Sequence, residues 1–298
     1  MRSQNLKSKI FLDGGDPNET REILDLLGFL DGQTTNPTLI SKNPEAAERL
    51  SEGQKFSKDE IFDFYKGVVS DVSNLIPKGS VSIEVYADAN TKAEEMIEQG
   101  REFYTWIPNA HIKFPTTKEG LKAAEQAVKD GIRVNMTLCF TQEQAAAVYA
   151  ATLRFADARS GQASQEGFKN VFVSPFIGRL DDRGENGMDV IKNIIEMYES
   201  GDGHVAVLTA SVRNLDHLMQ AIKLESDIIT VPFKILKEWG EKGMPMPGKD
   251  YIYNARELTP IEYKELDLNK PWQEFDIYHE LTDKGIEKFS ADWNSLLR

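Results

Sequence analysis

Short runs of apolar and β-branched residues recur along the chain, separated by longer stretches with helical periodicity. The runs predict strands at Lys9–Asp13, Gly32–Thr35, Val81–Val85, Ala110–Phe114, Arg133–Cys139, Asn170–Ser174, His204–Thr209 and Asp227–Val231. Between them the periodicity predicts helices near Asn18–Leu27, Asp59–Ile76, Thr91–Tyr104, Thr117–Lys129, Gln142–Ala156, Gly187–Ser200, Arg213–Lys223 and Phe233–Lys242. Start signals precede three of these helices: Asp59, Asn90 with Thr91, and Thr116 and Thr117 with Glu119 close behind.

Eight strand–helix alternations, with strands apolar on both faces, predict a parallel sheet covered by helices. An α/β fold closed into a (β/α)8 TIM barrel over residues 8–243 accounts for both the count and the length. The alternative is an open doubly wound sheet. Its dinucleotide-binding form needs Gly-x-Gly-x-x-Gly after the first strand, where this chain has Asp13-Gly14-Gly15-Asp16-Pro17. Pro245 and Pro247 break the last barrel helix, and residues 244–298 form an extension. There Trp272, Phe275, Tyr278, Leu281, Ile286, Phe289, Trp293 and Leu296 predict an amphipathic helical tail. Extra C-terminal helices of this kind pack on the barrel or on a second subunit, so residues 1–298 read as one domain. Gly161–Gly167 is the best candidate for a mobile surface loop.

The formal net charge of -13 disfavours nucleic acid and anionic membranes as partners, and there is no basic run. A phosphate ester would need a few arginines to create a local positive field against the global one. No apolar run approaches the length of a membrane span, and the segment after Met1 lacks the apolar stretch of a secretory signal. Cys139 is the only cysteine, so no intrachain disulfide can form. These features fit a cytoplasmic protein.

The strand ends carry the chemistry. Lys113 lies in Ala-His-Ile-Lys-Phe-Pro (110–115), a run that should hold no charge unless it is paired or held for reaction. Strand one ends at Asp13, and strand two runs into Thr34-Thr35-Asn36-Pro37. Strand three holds Glu84, and strand five carries Asn135 and Thr137 two apart, hence on one face. Strand six ends in Ser174-Pro175-Phe176 with Arg179 beyond, and strand seven continues into Ser211 and Arg213. Each has a structural alternative. Asp13 could cap the first helix, Glu84 could neutralise Lys113, and Asn36 could serve the turn before Pro37. Together, at the carboxyl ends of barrel strands, they point to an active site. Imine catalysis is the chemistry the set supports. A lysine condenses with a ketose carbonyl, one carboxylate takes a hydroxyl proton, a second manages the exchanged water, and two arginines hold a phosphate. The rival is zinc-dependent aldol chemistry, but His111, His204, His217 and His279 show no ligand spacing. His111 reads as a core or lower-layer histidine and Cys139 as a small core residue.

The motifs Ile-Phe-Leu-Asp (10–13), Asp-Gly-Gln-Thr-Thr-Asn-Pro-Thr-Leu-Ile (31–40), Val-Ser-Ile-Glu-Val (81–85) and Ile-Lys-Phe-Pro-Thr-Thr-Lys-Glu-Gly (112–120) occur in order. Val-Asn-Met-Thr-Leu-Cys-Phe (134–140), Val-Ser-Pro-Phe-Ile-Gly-Arg (173–179) and Leu-Thr-Ala-Ser-Val-Arg-Asn (208–214) follow. With these segments over most of the barrel, the chain resembles the transaldolases, class I enzymes that move a dihydroxyacetone unit between sugar phosphates. The resemblance implies a Schiff base at Lys113, with Asp13 as general acid/base and Glu84 and Thr137 managing the catalytic water. It also implies donor-hydroxyl contacts from Asn36 and Asn135, helped by Thr34 and Ser174. The phosphate would be held by Arg179, Ser211 and Arg213. Neither cofactor nor metal is implied; the partners are sugar phosphates in the non-oxidative pentose phosphate pathway.

Related fructose 6-phosphate aldolases usually carry Tyr at the position of Phe176 and Gln at that of Glu84, so this chain is similar to the transferase branch. Its tail sides with the longer, usually dimeric branch and is compatible with a homodimer. Two departures stand out: an insertion-like segment at Arg159–Lys169, and Lys-Phe-Pro where Lys-Ile-Pro is commoner. The alternative function is a related class I enzyme acting on a sulfonated or unphosphorylated ketose.

Overall fold

The computed structural model describes residues 2–156, 167–255 and 257–298. Its strands are β1 (Lys9–Asp13), β2 (Gly32–Thr34), β3 (Ser80–Glu84), β4 (Ala110–Pro115), β5 (Val134–Cys139), β6 (Val171–Pro175), β7 (Val205–Thr209) and β8 (Ile228–Pro232). All pair in parallel with their sequence neighbours, and β8 pairs with β1 to close the barrel. The expected (β/α)8 architecture is present. Its helices are α1 (Pro17–Leu27), α2 (Pro37–Ser41), α3 (Pro44–Ser51), α4 (Lys58–Leu75), α5 (Ala93–Tyr104), α6 (Lys118–Lys129) and α7 (Gln142–Ala156). They continue with α8 (Ile177–Asp181), α9 (Gly187–Tyr198), α10 (Leu215–Lys223), α11 (Phe233–Glu241) and α12 (Glu280–Ser295). The Gly161–Gly167 loop lies, except for Gly167, outside the described residues, as does most of Arg159–Lys169.

The barrel interior divides into an apolar lower half and a polar upper half. Below, Phe11, Phe172 and His111 fill the bore, with the His111 ring stacked on Phe172 at 4.0 Å. The Ser80 hydroxyl meets Nδ1 of His111 at 2.8 Å, and Nε2–H donates to the Lys169 carbonyl at 3.1 Å. Burial pushes the His111 pKa down to about 3, so it is a neutral packing residue, as expected. Above, the cross-strand register sets Asp13 beside Thr34, Glu84 beside Lys113, and Lys113 beside Asn135. Alternation along each strand then turns these side chains to the same face.

Several local expectations are corrected. Helix α4 is capped by Ser57 and Glu60 in a reciprocal capping box, not by Asp59. Asn90 and Thr91 do not cap α5. Their backbone N–H groups are taken by Asp88 at 2.8 and 2.9 Å, and the helix begins after Lys92, whose side chain makes no cap; Glu119 accepts the first N–H, that of Ala93, at 3.2 Å. The tail is not one continuous amphipathic segment. Among the described residues, 244–271 contain no regular element, a 3₁₀ turn spans Trp272–Glu274, and α12 alone is an α-helix in the tail. Tyr278, assigned to the apolar face, is 69% exposed.

Candidate active site

Helix α12 crosses the carboxyl ends of the strands. Its Thr282 hydroxyl donates to the Leu138 carbonyl at 3.0 Å, Asp292 accepts from Thr38 of α2, and Phe289 lies against Arg179. The bulge in β5 between Met136 and Cys139 has Leu138 at φ 58°, which turns its carbonyl toward α12. A cavity of about 380 Å³ lies between this helix and the barrel. Asp13, Thr34, Asn36, Lys113, Thr137, Ser174, Phe176, Arg179, Ser211 and Arg213 all line it. Thus ten of the twelve residues singled out from the sequence converge. Glu84 and Asn135 stand one contact behind, against Lys113 and Ser174.

Lys113 is 3% exposed and its Nζ lies 2.7 Å from Oε2 of Glu84, itself 6% exposed. The same Nζ donates to the Thr35 carbonyl at 2.8 Å. Thr35 is held by its hydroxyl bond to the Ser82 carbonyl (2.7 Å) and by Tyr65 Oη at 2.6 Å; that phenol also accepts the Glu84 N–H at 3.0 Å. One tyrosine of α4 therefore fixes both partners of the lysine. Burial raises the Glu84 carboxyl above its ordinary range, and Lys113 and then Arg179 oppose the shift.

Asp13 is likewise raised by burial, with the Lys113 charge and the Thr34 hydroxyl pulling it back. The Thr34 hydroxyl donates to Oδ1 of Asp13 at 2.7 Å, so its 2.6 Å contact with Thr230 must be a bond donated by Thr230. A carboxyl raised in this way and placed beside a lysine can exchange protons with a bound hydroxyl. The buried Thr137 hydroxyl has no hydrogen-bond partner among the described residues, which leaves it available to a bound polar group. Asn135 donates to Ser82 Oγ at 3.0 Å and accepts from Ser174 at 2.5 Å. Asn36 serves the turn after all: its side chain accepts from Leu39 N–H at 2.9 Å to cap α2, while still lining the cavity.

Two arginines mark one rim. Arg179 lies between the rings of Phe176 (5.3 Å) and Phe289 (5.4 Å), and the exposed Arg213 pairs with Asp182 at 2.9 Å. Burial, and next the Arg213 charge, push the Arg179 guanidinium below its ordinary value, so an anion between the two relieves both. Gly178 makes this approach feasible: a Cβ there would sit 2.4 Å from the Ser211 carbonyl and 2.5 Å from Arg213 Cγ. Ser211 itself holds a left-handed φ of 62°, a strained conformation of the kind found at ligand sites.

The sequence reading missed Thr230, Thr38, Lys42, Lys288 and Phe289, all of which line the cavity. Thr230 had a signal, since it shares the inward parity of Ile228 in Ile-Ile-Thr-Val. Lys42, Lys288 and Phe289 had none, because tertiary packing alone brings them to the rim. Among the described residues no three His, Cys, Asp or Glu side chains are grouped to hold a metal ion, and no helix is long and apolar enough to cross a membrane.

Residues 10–298 match the family model for transaldolase/fructose-6-phosphate aldolase. Proteins named "Probable transaldolase" from Dehalococcoides mccartyi and Halalkalibacterium halodurans are each 34% identical to the chain. These matches cover 97% and 96% of this chain and 99% of each relative. A protein of the same name from Roseiflexus castenholzii is 32% identical over 96% of this chain and 97% of its own length.

Proposed function

Because the chain belongs to the transaldolase/fructose-6-phosphate aldolase family, we propose that it transfers a dihydroxyacetone unit from a ketose phosphate to an aldose phosphate through an imine on Lys113. The donor and acceptor pair is sedoheptulose 7-phosphate with glyceraldehyde 3-phosphate, yielding erythrose 4-phosphate and fructose 6-phosphate. The observation that carries the proposal is the buried Lys113 amine at the cavity, in contact with Glu84, with Asp13 also lining the cavity.

Lys113 Nζ adds to the ketose C2 carbonyl, and the resulting carbinolamine loses water. Glu84 and the unpartnered Thr137 hydroxyl handle the proton and the departing water. Asp13 then takes the C4 hydroxyl proton, the C3–C4 bond breaks, and its electrons pass into the iminium to leave an enamine. The freed aldose departs with its phosphate. The enamine attacks the incoming aldehyde while Asp13 returns a proton to the new hydroxyl, and water releases the product ketose from Lys113. Asn36, Thr34 and Ser174 would hold donor hydroxyls, with Asn135 orienting Ser174 from behind and Phe176 packing over the chain. Arg179, Ser211 and Arg213 would hold the phosphate.

The direct test is a product assay. Sedoheptulose 7-phosphate and glyceraldehyde 3-phosphate should give erythrose 4-phosphate and fructose 6-phosphate in equal amounts. Release of free dihydroxyacetone from fructose 6-phosphate, at a comparable rate and without an acceptor, would instead make the protein an aldolase.

A further inference from the structure

Arg179 stands on α8, a five-residue helix with no side-chain cap at its start. A single turn has almost no stability of its own, so the position of Arg179 depends on what ties α8 to its surroundings. Two ties are backbone bonds, from Ile177 N–H to the Ala210 carbonyl and from Gly178 N–H to the Ser211 carbonyl, both 3.1 Å. The Arg213–Asp182 ion pair just past α8 is exposed, but a further tie is a buried side chain that is not in the cavity. His217, on the first turn of α10, places Nε2 2.8 Å from Oδ2 of Asp181, the last residue of α8. Its Nδ1 accepts the backbone N–H of Arg213 at 3.2 Å.

The two contacts determine the tautomer. Nδ1 accepts, so the ring proton resides on Nε2 and is donated to Asp181. The imidazole thus joins the segment carrying Arg179 to the backbone of Arg213. It is only 5% exposed at the side chain. Its own position is fixed because the Asn214 side chain accepts the His217 N–H at 2.8 Å. On the other side, Oδ1 of Asp181 accepts the Gly187 N–H at 2.9 Å, anchoring the pair to the start of α9.

We propose that His217 is a positioning residue for phosphate recognition, holding Arg179 and Arg213 at the separation that lets one phosphate engage both. The inference rests on the phosphate-site assignment made above. Its consequence is selective. Loss of the bridge should weaken interactions with the phosphate, while the imine chemistry at Lys113 continues unchanged. A merely structural histidine would affect phosphorylated and unphosphorylated substrates alike.

At saturating sedoheptulose 7-phosphate as donor, the experiment compares glyceraldehyde 3-phosphate with glyceraldehyde as acceptor for the wild type and for His217→Phe, His217→Gln, Asp181→Ala and Arg179→Ala, each checked for folding by circular dichroism. His217→Phe should raise KM for glyceraldehyde 3-phosphate about tenfold, with kcat and the glyceraldehyde kinetics within twofold of wild type. His217→Gln, whose amide can both donate and accept, should restore most of the loss. Asp181→Ala breaks the same bridge from its other end and should reproduce the split; it decides the matter should His217→Phe not fold. An unchanged KM for the phosphorylated acceptor, or equal losses with both acceptors, would overturn the role of His217. If Arg179→Ala also leaves the phosphate preference intact, the phosphate site itself is misassigned. If Arg179→Ala abolishes the preference and His217→Phe does not, only the role of His217 fails.

Discussion

At the scale of single residues, the site is organised by two carboxyls, the buried Glu84 and the half-buried Asp13, that both feel the charge of Lys113. Burial raises both Asp13 and Glu84, while Lys113 opposes each shift. For Asp13 this links function and stability. Its folded-state pKa exceeds its unfolded value, so folding favours the protonated form, and stability is lost as pH rises through the folded pKa. Asp13→Asn keeps an oxygen to accept from Thr34 but removes the charge. Its melting temperature should match wild type below the unfolded aspartate value of 3.8 and exceed it increasingly as pH rises through the folded pKa. The same variant should form the imine yet slow bond cleavage by about 10²- to 10⁴-fold, the usual worth of a general base. Thermal scans at pH 3.5 and 8 with single-turnover kinetics check both halves; normal cleavage would remove Asp13 from the mechanism. Much of this site was legible because charge in a two-sided apolar strand is conspicuous. Thr230 was passed over despite its inward parity, since a threonine among β-branched residues reads as ordinary strand composition.

At the scale of elements, parallel strands buried on both faces are easy to find, and all eight lie within one residue of their expected bounds. The short helices α2, α3 and α8 escaped notice because five to eight residues span too few turns for periodicity to show. The capping of α4 was missed for a different reason. Ser57 and Asp59 are both good caps, and only the reciprocal bond of Glu60 to the Ser57 N–H selects between them. Helix α12 was expected, but not that it would complete the cavity. Gly285 lets it approach, since a Cβ there would meet Leu138 at 2.5 Å and Arg179 Nη1 at 2.8 Å. Phe289→Ala should lower stability by about 3 kcal/mol through the lost burial. It should also raise KM for a phosphorylated substrate about fivefold, the equivalent of ~1 kcal/mol of cation–π contact. Chemical denaturation and steady-state kinetics measure the two effects separately; an unchanged KM would show that α12 only packs.

At the scale of the whole molecule, a chain of net charge -13 concentrates positive charge where its substrate would need it. Lys42, Lys113, Arg179, Arg213 and Lys288 line the cavity with Asp13, while Glu84, Asp182 and Asp292 pair with Lys113, Arg213 and Lys288 from just outside it. The barrel makes this possible by gathering strand ends distant in sequence at one mouth, with the acidic surplus placed elsewhere. The expectation of a local positive field was readable from Arg179 and Arg213. The contributions of Lys42 and Lys288 depend on how α2 and α12 pack, which no local pattern announces. In the proposed mechanism Lys113 carries the transferred unit covalently. Borohydride reduction in the presence of fructose 6-phosphate, read by intact mass and peptide mapping, tests it most directly. A reduced three-carbon adduct on Lys113, absent in Lys113→Ala and diminished when erythrose 4-phosphate is supplied as acceptor, is the predicted result; turnover of the wild type without any adduct, or retained activity in Lys113→Ala, would contradict it.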